Sequence, residues 1–184
     1  MDMKPFEFNE NEDIPILQNT VCSNECNSSP ISGENNVSNY LKHVNNHGID
    51  NDSSFFVSQI PLHEGALFLD VGYGCGILLK KLKNRQPNNS FVGIEYSLEM
   101  SRRIAPELNK IGIKTECIDY FHYFSKDKFD VILFSFVLHH FAYTQAAIEH
   151  AITLSKYGSY ICMADRIPEK DDDIKLLVID PDLD

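Results

Sequence analysis

Asp70, Gly72, Gly74 and Gly76 are the residues whose types and spacing most suggest chemistry. They stand in the run Leu67-Phe68-Leu69-Asp70-Val71-Gly72-Tyr73-Gly74-Cys75-Gly76-Ile77-Leu78-Leu79. It is an apolar stretch, an acid, a glycine at every second position, then an apolar restart. Glycines so placed let a ligand approach backbone where a Cβ would not be tolerated. A loop that grips a pyrophosphate relies on amide N–H groups and the positive end of a helix, and gains nothing from a carboxylate. Asp70 therefore points to a ligand with an ammonium or other donor groups. Two further spacings invite metal chemistry and fall short of it. Cys22 and Cys26 lack the third thiolate an iron–sulfur cluster needs, because Ser29 stands three residues on. His43 and His47 lie four apart on one helical stripe without a third ligand, so no metal site is expected.

The elements that must position the glycine run alternate along the chain. The spacing predicts strands over 66–71, 90–95, 113–118, 129–135 and 159–164. Between them fall helices over 77–84, from about Leu98, and over 143–155, the last ended by Gly158. Pro106 sits among the helical positions Met100, Ile104, Leu108 and Ile111 and predicts a kink or restart. Two short helices, 37–47 and 53–60, precede the first strand. Phe129-Asp130-Val131-Ile132-Leu133-Phe134-Ser135 is apolar on both faces, as a central parallel strand covered by helices must be. Repeated strand–helix–strand units predict an α/β fold with a doubly wound, mostly parallel sheet. Ligands bind such sheets beyond the carboxyl ends of the strands, near the switch in strand order. Residues 1–35 read as a disordered or loosely packed leader rich in Asn, Ser, Glu and Asp, and residues 36–184 as one domain.

Asp70-x-Gly72-x-Gly74-x-Gly76 after a strand resembles motif I of the class I S-adenosylmethionine-dependent methyltransferases. Other segments agree with that family in order, over about residues 60–166. Phe91-Val92-Gly93-Ile94-Glu95-Tyr96-Ser97-Leu98-Glu99-Met100 resembles the segment closing the second strand. There the resemblance gives Glu95 the two ribose hydroxyls, for which a carboxylate offers two acceptor oxygens. Tyr96 and Met100 match positions packed near the adenine. Cys117-Ile118-Asp119-Tyr120-Phe121 resembles the segment after the third strand, where Asp119 would accept from the adenine amino group beside Tyr120. Phe129 to Phe141, with Leu138-His139-His140, resembles the fourth-strand segment of many small-molecule members. Phe134 and Ser135 would then lie beneath the methionine part of the cofactor. Tyr157-Gly158-Ser159-Tyr160 stands where the family has a Pro-Gly-Gly turn, and departs from it. The resemblance implies a Rossmann-like methyltransferase fold using S-adenosyl-L-methionine. The family ends in an antiparallel strand pair, and Ile174 to Ile179 provides one strand where it has two.

The reaction so implied is methyl transfer by direct displacement to a small organic acceptor. His139 is the candidate general base, since histidine titrates near neutral pH and adjacent side chains point apart. A structural place for both His139 and His140 fits the residues equally well, and His122 and His150 have no motif behind them. Rival readings are a cofactor-binding relic or interaction subunit, and a non-methylating enzyme of the same fold. A nicotinamide dehydrogenase would want Gly-x-Gly-x-x-Gly, but Ile77 holds the last position and Asp70 would lack a role.

Composition narrows the partners. Net charge is −11, which argues against a nucleic-acid footprint. Lys80, Lys81, Lys83 and Arg85 cluster in the last turns of a helix, where the dipole favours cations. No apolar run is long enough to span a bilayer, and the start lacks the pattern of a signal peptide. Five irregularly spaced cysteines do not read as a disulfide framework, which with the rest predicts a cytoplasmic protein. An uncovered sheet edge at the C-terminal side would favour a homodimer.

Overall fold

The computed structural model describes residues 31, 33–46, 49–61, 63–166 and 174–179. Residues 1–30 of the expected leader, Cys22, Cys26 and His47 lie outside the described residues. The chain begins with α1 (Glu34–Asn46) and α2 (Ile49–Gln59), each starting a few residues before its expected position. It continues through β1 (Leu67–Val71), α3 (Ile77–Arg85), β2 (Ser90–Glu95), α4 (Leu98–Lys110) and β3 (Lys114–Cys117). Then follow β4 (Phe129–Ser135), α5 (Thr144–Leu154), β5 (Ser155–Arg166) and β6 (Ile174–Ile179). Short 3-10 turns at Tyr120–His122 and Leu138–His140 carry the chain away from the ends of β3 and β4.

The strands form one sheet in the order β3-β2-β1-β4-β5-β6. The first five are parallel, and β6 pairs antiparallel with β5. From β1 the chain winds outward to β2 and β3, then returns to β4 on the other side of β1. That reversal opens a crevice above the carboxyl ends of β1 and β4, where doubly wound sheets take their ligands. The expected strand over 174–179 pairs with β5, and the terminal strands of the sheet are β3 and β6.

Alternation along the strands builds two cores. Phe68, Phe91, Val131 and Leu133 face α3 and α4, where Leu79, Leu82, Ile104 and Leu108 meet them. The Phe68 and Phe91 rings stack at 4.9 Å, in register across β1 and β2. Leu69, Ile132 and Phe134 point the other way, toward Ala147, Ala151 and Leu154 of α5. Burial on both sides is why β1 and β4 read as apolar runs interrupted only by Asp70 and by Asp130 and Ser135.

Two local expectations are corrected. α4 runs unbroken through Pro106. Its apolar stripe of Met100, Ile104 and Leu108 is buried, and that packing offsets the one backbone bond proline removes. Gly158 does not end α5. The helix stops at Leu154, and β5 begins at once with Ser155 opposite Phe129. The next pair is Val131 with Tyr160, so Tyr157 and Gly158 bulge out of the ladder, with Gly158 at φ +72°.

Candidate functional site

A cavity of about 370 Å³ opens above the ends of β1, β2 and β4. Its floor is the glycine loop between β1 and α3. The loop is tied to β2, since the amides of Gly72 and Tyr73 both donate to the Ile94 carbonyl, at 2.8 and 3.1 Å. The glycines serve different ends. A Cβ at Gly72 would stand 2.6 Å from Cγ2 of Val137, so this position is bare because the segment after β4 lies across it. A Cβ at Gly76 would stand 3.0 Å from Ile104 and from Leu108, so this one admits α4. Gly74, at φ +48°, has nothing nearer than the Tyr40 hydroxyl at 3.7 Å and faces the cavity.

Asp70 lies in the middle of the sheet's carboxyl rim, paired in register with Gly93 on one side and Leu133 on the other. Its residue is 1% exposed and lines the cavity, and its Oδ1 has no hydrogen-bond partner among the described residues. Burial pushes this carboxyl up to about 7, and the neighbouring Glu95 pushes the same way. A buried carboxyl oxygen left without a donor is rare, and a ligand donor completes it.

Glu95 ends β2 and reaches back over the loop. Its Oε2 accepts from the Gly74 amide at 3.0 Å and its Oε1 from the Ser97 amide at 2.8 Å. Burial raises its pKa, while the amides of Ser97, Gly74 and Tyr96 oppose the rise. Each oxygen keeps a second lone pair for a hydroxyl donor, so the carboxylate can brace the loop and still meet a diol. Ser97 in turn caps α4, its Oγ accepting from the Met100 amide at 3.3 Å. That bond sets Met100, 2% exposed, against the cavity, while Tyr96 is 58% exposed at the rim.

Asp119 and Tyr120 close the side under β3. Asp119 caps the turn that follows it, accepting from the Phe121 amide at 2.8 Å. The Tyr120 hydroxyl is spent on the Ala147 carbonyl at 2.8 Å, so the residue offers the cavity a ring and not a hydroxyl. Ser135 lines the wall at the end of β4. Phe134 does not. It is fully buried on the α5 side, edge-on to Tyr120 at 5.7 Å, and so supports the site from beneath. Gly76 likewise lies outside the lining, behind the loop.

The histidine pair is arranged otherwise than the sequence suggests. His139 turns away from the cavity, with its Nδ1 2.8 Å from Oδ1 of Asp165 and its amide donating to Oδ2 at 3.1 Å. His140 lines the cavity instead, with the two rings 4.1 Å apart. Beside it stand Phe136 and Phe141. Tyr40 of α1 roofs the glycine loop, and burial, then Cys75 and Glu95, push its hydroxyl up to about 12, keeping it a neutral donor. The Ser97 cap is visible in the sequence as a serine before an apolar helical stripe. Tyr40 reads there only as one more member of a core stripe, and nothing in the sequence marks Phe136.

The lining carries three carboxylates, Asp70, Glu95 and Asp119, and among the described residues no lysine or arginine. No group of three or more metal-ligating side chains is found among the described residues. A cavity with three acids and no lysine or arginine among the described residues, a bare-backbone floor, an orphaned buried carboxyl oxygen and spare lone pairs on Glu95 fits a cationic nucleoside.

Known proteins agree. Residues 69–161, just over half of the chain, match the family model for a methyltransferase domain. No curated protein matches the sequence. Among solved structures, the plantazolicin methyltransferase BpumL, in complex with a pentazolic desmethylPZN analog and SAH, is similar at 21% identity with a TM-score of 0.59. The match covers 72% of this chain and 52% of that one, so the chain spans about half the length of that relative. A complex of the Haloferax volcanii Trm112 methyltransferase activator with a methyltransferase matches at 17% identity and TM-score 0.60, covering 70% and 59%. The cyclase SpnF matches at 18% and 0.57, covering 63% and 44%. These likenesses show the shared Rossmann-like fold, on which one neighbour is a cyclase. With its glycine loop, its acidic rim and a family match across the whole of that region, this chain belongs to the methyltransferase domain family, whose cofactor is S-adenosylmethionine.

Proposed function

We propose that the chain binds S-adenosylmethionine in this cavity and transfers its methyl group to a small organic acceptor. The observation that carries the reading is the unpartnered Asp70 oxygen, buried in a cavity whose lining holds three acids and no lysine or arginine among the described residues. When bound, the cofactor supplies a methyl group already activated by a positive sulfur; the C–S electron pair stays on sulfur as the acceptor's lone pair takes the carbon. The residues' own work is to bind, align and dry the site. Asp70 accepts from an ammonium, Glu95 from the ribose hydroxyls, and Asp119 from the adenine amino group. Met100 and Tyr96 pack the base, and Ser135 borders the methionine end. His140, not His139, is placed to take a proton from an acceptor that must lose one.

Thermal-shift and calorimetric titrations test this. S-adenosylhomocysteine should raise the melting temperature and NAD should not. Asp70→Ala and Glu95→Ala should each abolish measurable cofactor binding. Unchanged affinity in both variants would reject the site. Transfer of a labelled methyl group to an acceptor separates this reading from a non-methylating reaction on the same fold. No helix among the described residues is long and apolar enough to cross a membrane. The terminal strands β3 and β6 offer edges through which two copies could pair, and light scattering would detect such a dimer.

A further inference from the structure

Phe136 is the only residue other than glycine with positive φ among the described residues, at +54°. Side chains rarely occupy that region, and a bulky one there is a true outlier. Three contacts hold the backbone in place. The Phe136 amide donates to the Ala164 carbonyl at 2.7 Å. Val137 sits on the bare face of Gly72. The His140 amide closes the next turn on the Val137 carbonyl at 3.0 Å. None of these needs a side chain at position 136. Glycine would satisfy all three without strain, so the turn does not account for the phenyl ring. Phe136 lines the cavity, in company with His140, Phe141 and Phe121. Phe121 and Phe141 meet edge to face at 5.6 Å, so two of these rings pack against each other on that side.

The acids already assigned to the cofactor lie deeper, and the mouth itself has no lysine or arginine to offset a carboxylate or phosphate on an acceptor. An anion would find no lysine or arginine on this lining to pair with. An ammonium is attracted instead by the ring faces. His140 stands on the wall to receive the proton an ammonium must give up before its lone pair is available. We propose that Phe136, with His140 and Phe141, forms the acceptor subsite, and that the acceptor is a small arylalkylamine. This rests on the methyltransferase reading above.

The test uses the full chain loaded with S-adenosylhomocysteine and titrated by calorimetry with tryptamine, then with indole-3-propionate, which has the same ring and the opposite charge. Tryptamine should bind at least about tenfold tighter. Phe136→Ala should weaken tryptamine about tenfold while leaving the affinity for S-adenosylhomocysteine unchanged. Phe136→Gly should weaken tryptamine equally and melt above Phe136→Ala, because alanine retains the strain and glycine releases it. Equal or inverted preference between the two indoles overturns the proposal, as does tryptamine binding that survives both substitutions. Failure of the wild-type chain to bind S-adenosylhomocysteine sinks the methyltransferase reading and this proposal together. Cofactor binding without an amine preference sinks this proposal alone.

Discussion

Asp70 is asked to do two things that oppose each other. Folding places it in the sheet with one oxygen unpartnered and its pKa raised to about 7 by burial and then by Glu95. An unfolded aspartate titrates near 3.8. The folded chain therefore holds this proton more tightly than the unfolded chain. Its contribution to stability is full below pH 4 and is lost as pH rises through about 7. A cationic ligand needs the ionised form, so affinity should rise through the same window as stability falls. Asp70→Asn removes the ionisation and keeps the shape. At pH 8 the ligand-free variant should be more stable to urea by about 1–3 kcal/mol. Its affinity for S-adenosylmethionine should drop by about 10–100-fold, as expected when a charged acceptor is lost. A variant that is both less stable at pH 8 and undiminished in binding would show that Asp70 is an ordinary core residue.

At the scale of elements, the glycine loop and the segment after β4 are built against each other. Gly72 is bare for Val137, and Val137 is delivered there by the left-handed turn at Phe136. Gly72→Ala must strain a backbone at φ +72° and push Val137 aside, and should cost about 2–4 kcal/mol in urea denaturation. In a Val137→Ala background the 2.6 Å clash with Cγ2 is gone and only the 3.3 Å approach to Cβ remains, so the same substitution should cost at least about 1 kcal/mol less. Additive costs in that cycle would mean that the two segments do not pack as described. Gly74→Ala meets nothing nearer than 3.7 Å but still strains a backbone at φ +48°, so it should cost about 1 kcal/mol of stability, less than Gly72→Ala, and weaken the cofactor as well. The sequence shows a glycine run and a Leu-His-His run separately, because each has its own local pattern. It does not show that one rests on the other, since that contact spans more than sixty residues and depends on strand order. The same limit explains the histidines. The expectation that adjacent side chains point apart does not describe rings 4.1 Å from each other, and which of the two lines the cavity depends on Asp165 at the end of β5, which captures His139. Conversely, the strands β1, β2 and β4 are readable in the sequence, because burial on both faces leaves mostly apolar runs with few polar interruptions. Pro106 misleads for the opposite reason, as tertiary packing of α4 overrides a local breaker.

Over the whole molecule, charge acts in one direction. The chain carries a net −11, and the cavity adds three carboxylates without a lining cation among the described residues. Both the distant field and the local one favour a positive ligand. S-adenosylmethionine and S-adenosylhomocysteine share the nucleoside, the ammonium and the carboxylate, and differ in the sulfonium charge and its methyl group. Contacts to Glu95, Asp119 and the glycine loop are common to both and cancel in a comparison. What remains is the field acting on one extra charge, and salt screens it, the Debye length shrinking from about 30 Å at 0.01 M to about 8 Å at 0.15 M. Raising ionic strength across that range at pH 8 should therefore weaken S-adenosylmethionine more than S-adenosylhomocysteine, by about threefold in the ratio of dissociation constants. Asp70→Asn should shrink that ratio change, because part of the field comes from the one carboxylate it removes. Calorimetry with both ligands at each salt concentration measures it directly. A ratio that stays flat with salt would mean that the acids are paired internally, and that shape alone selects the nucleoside.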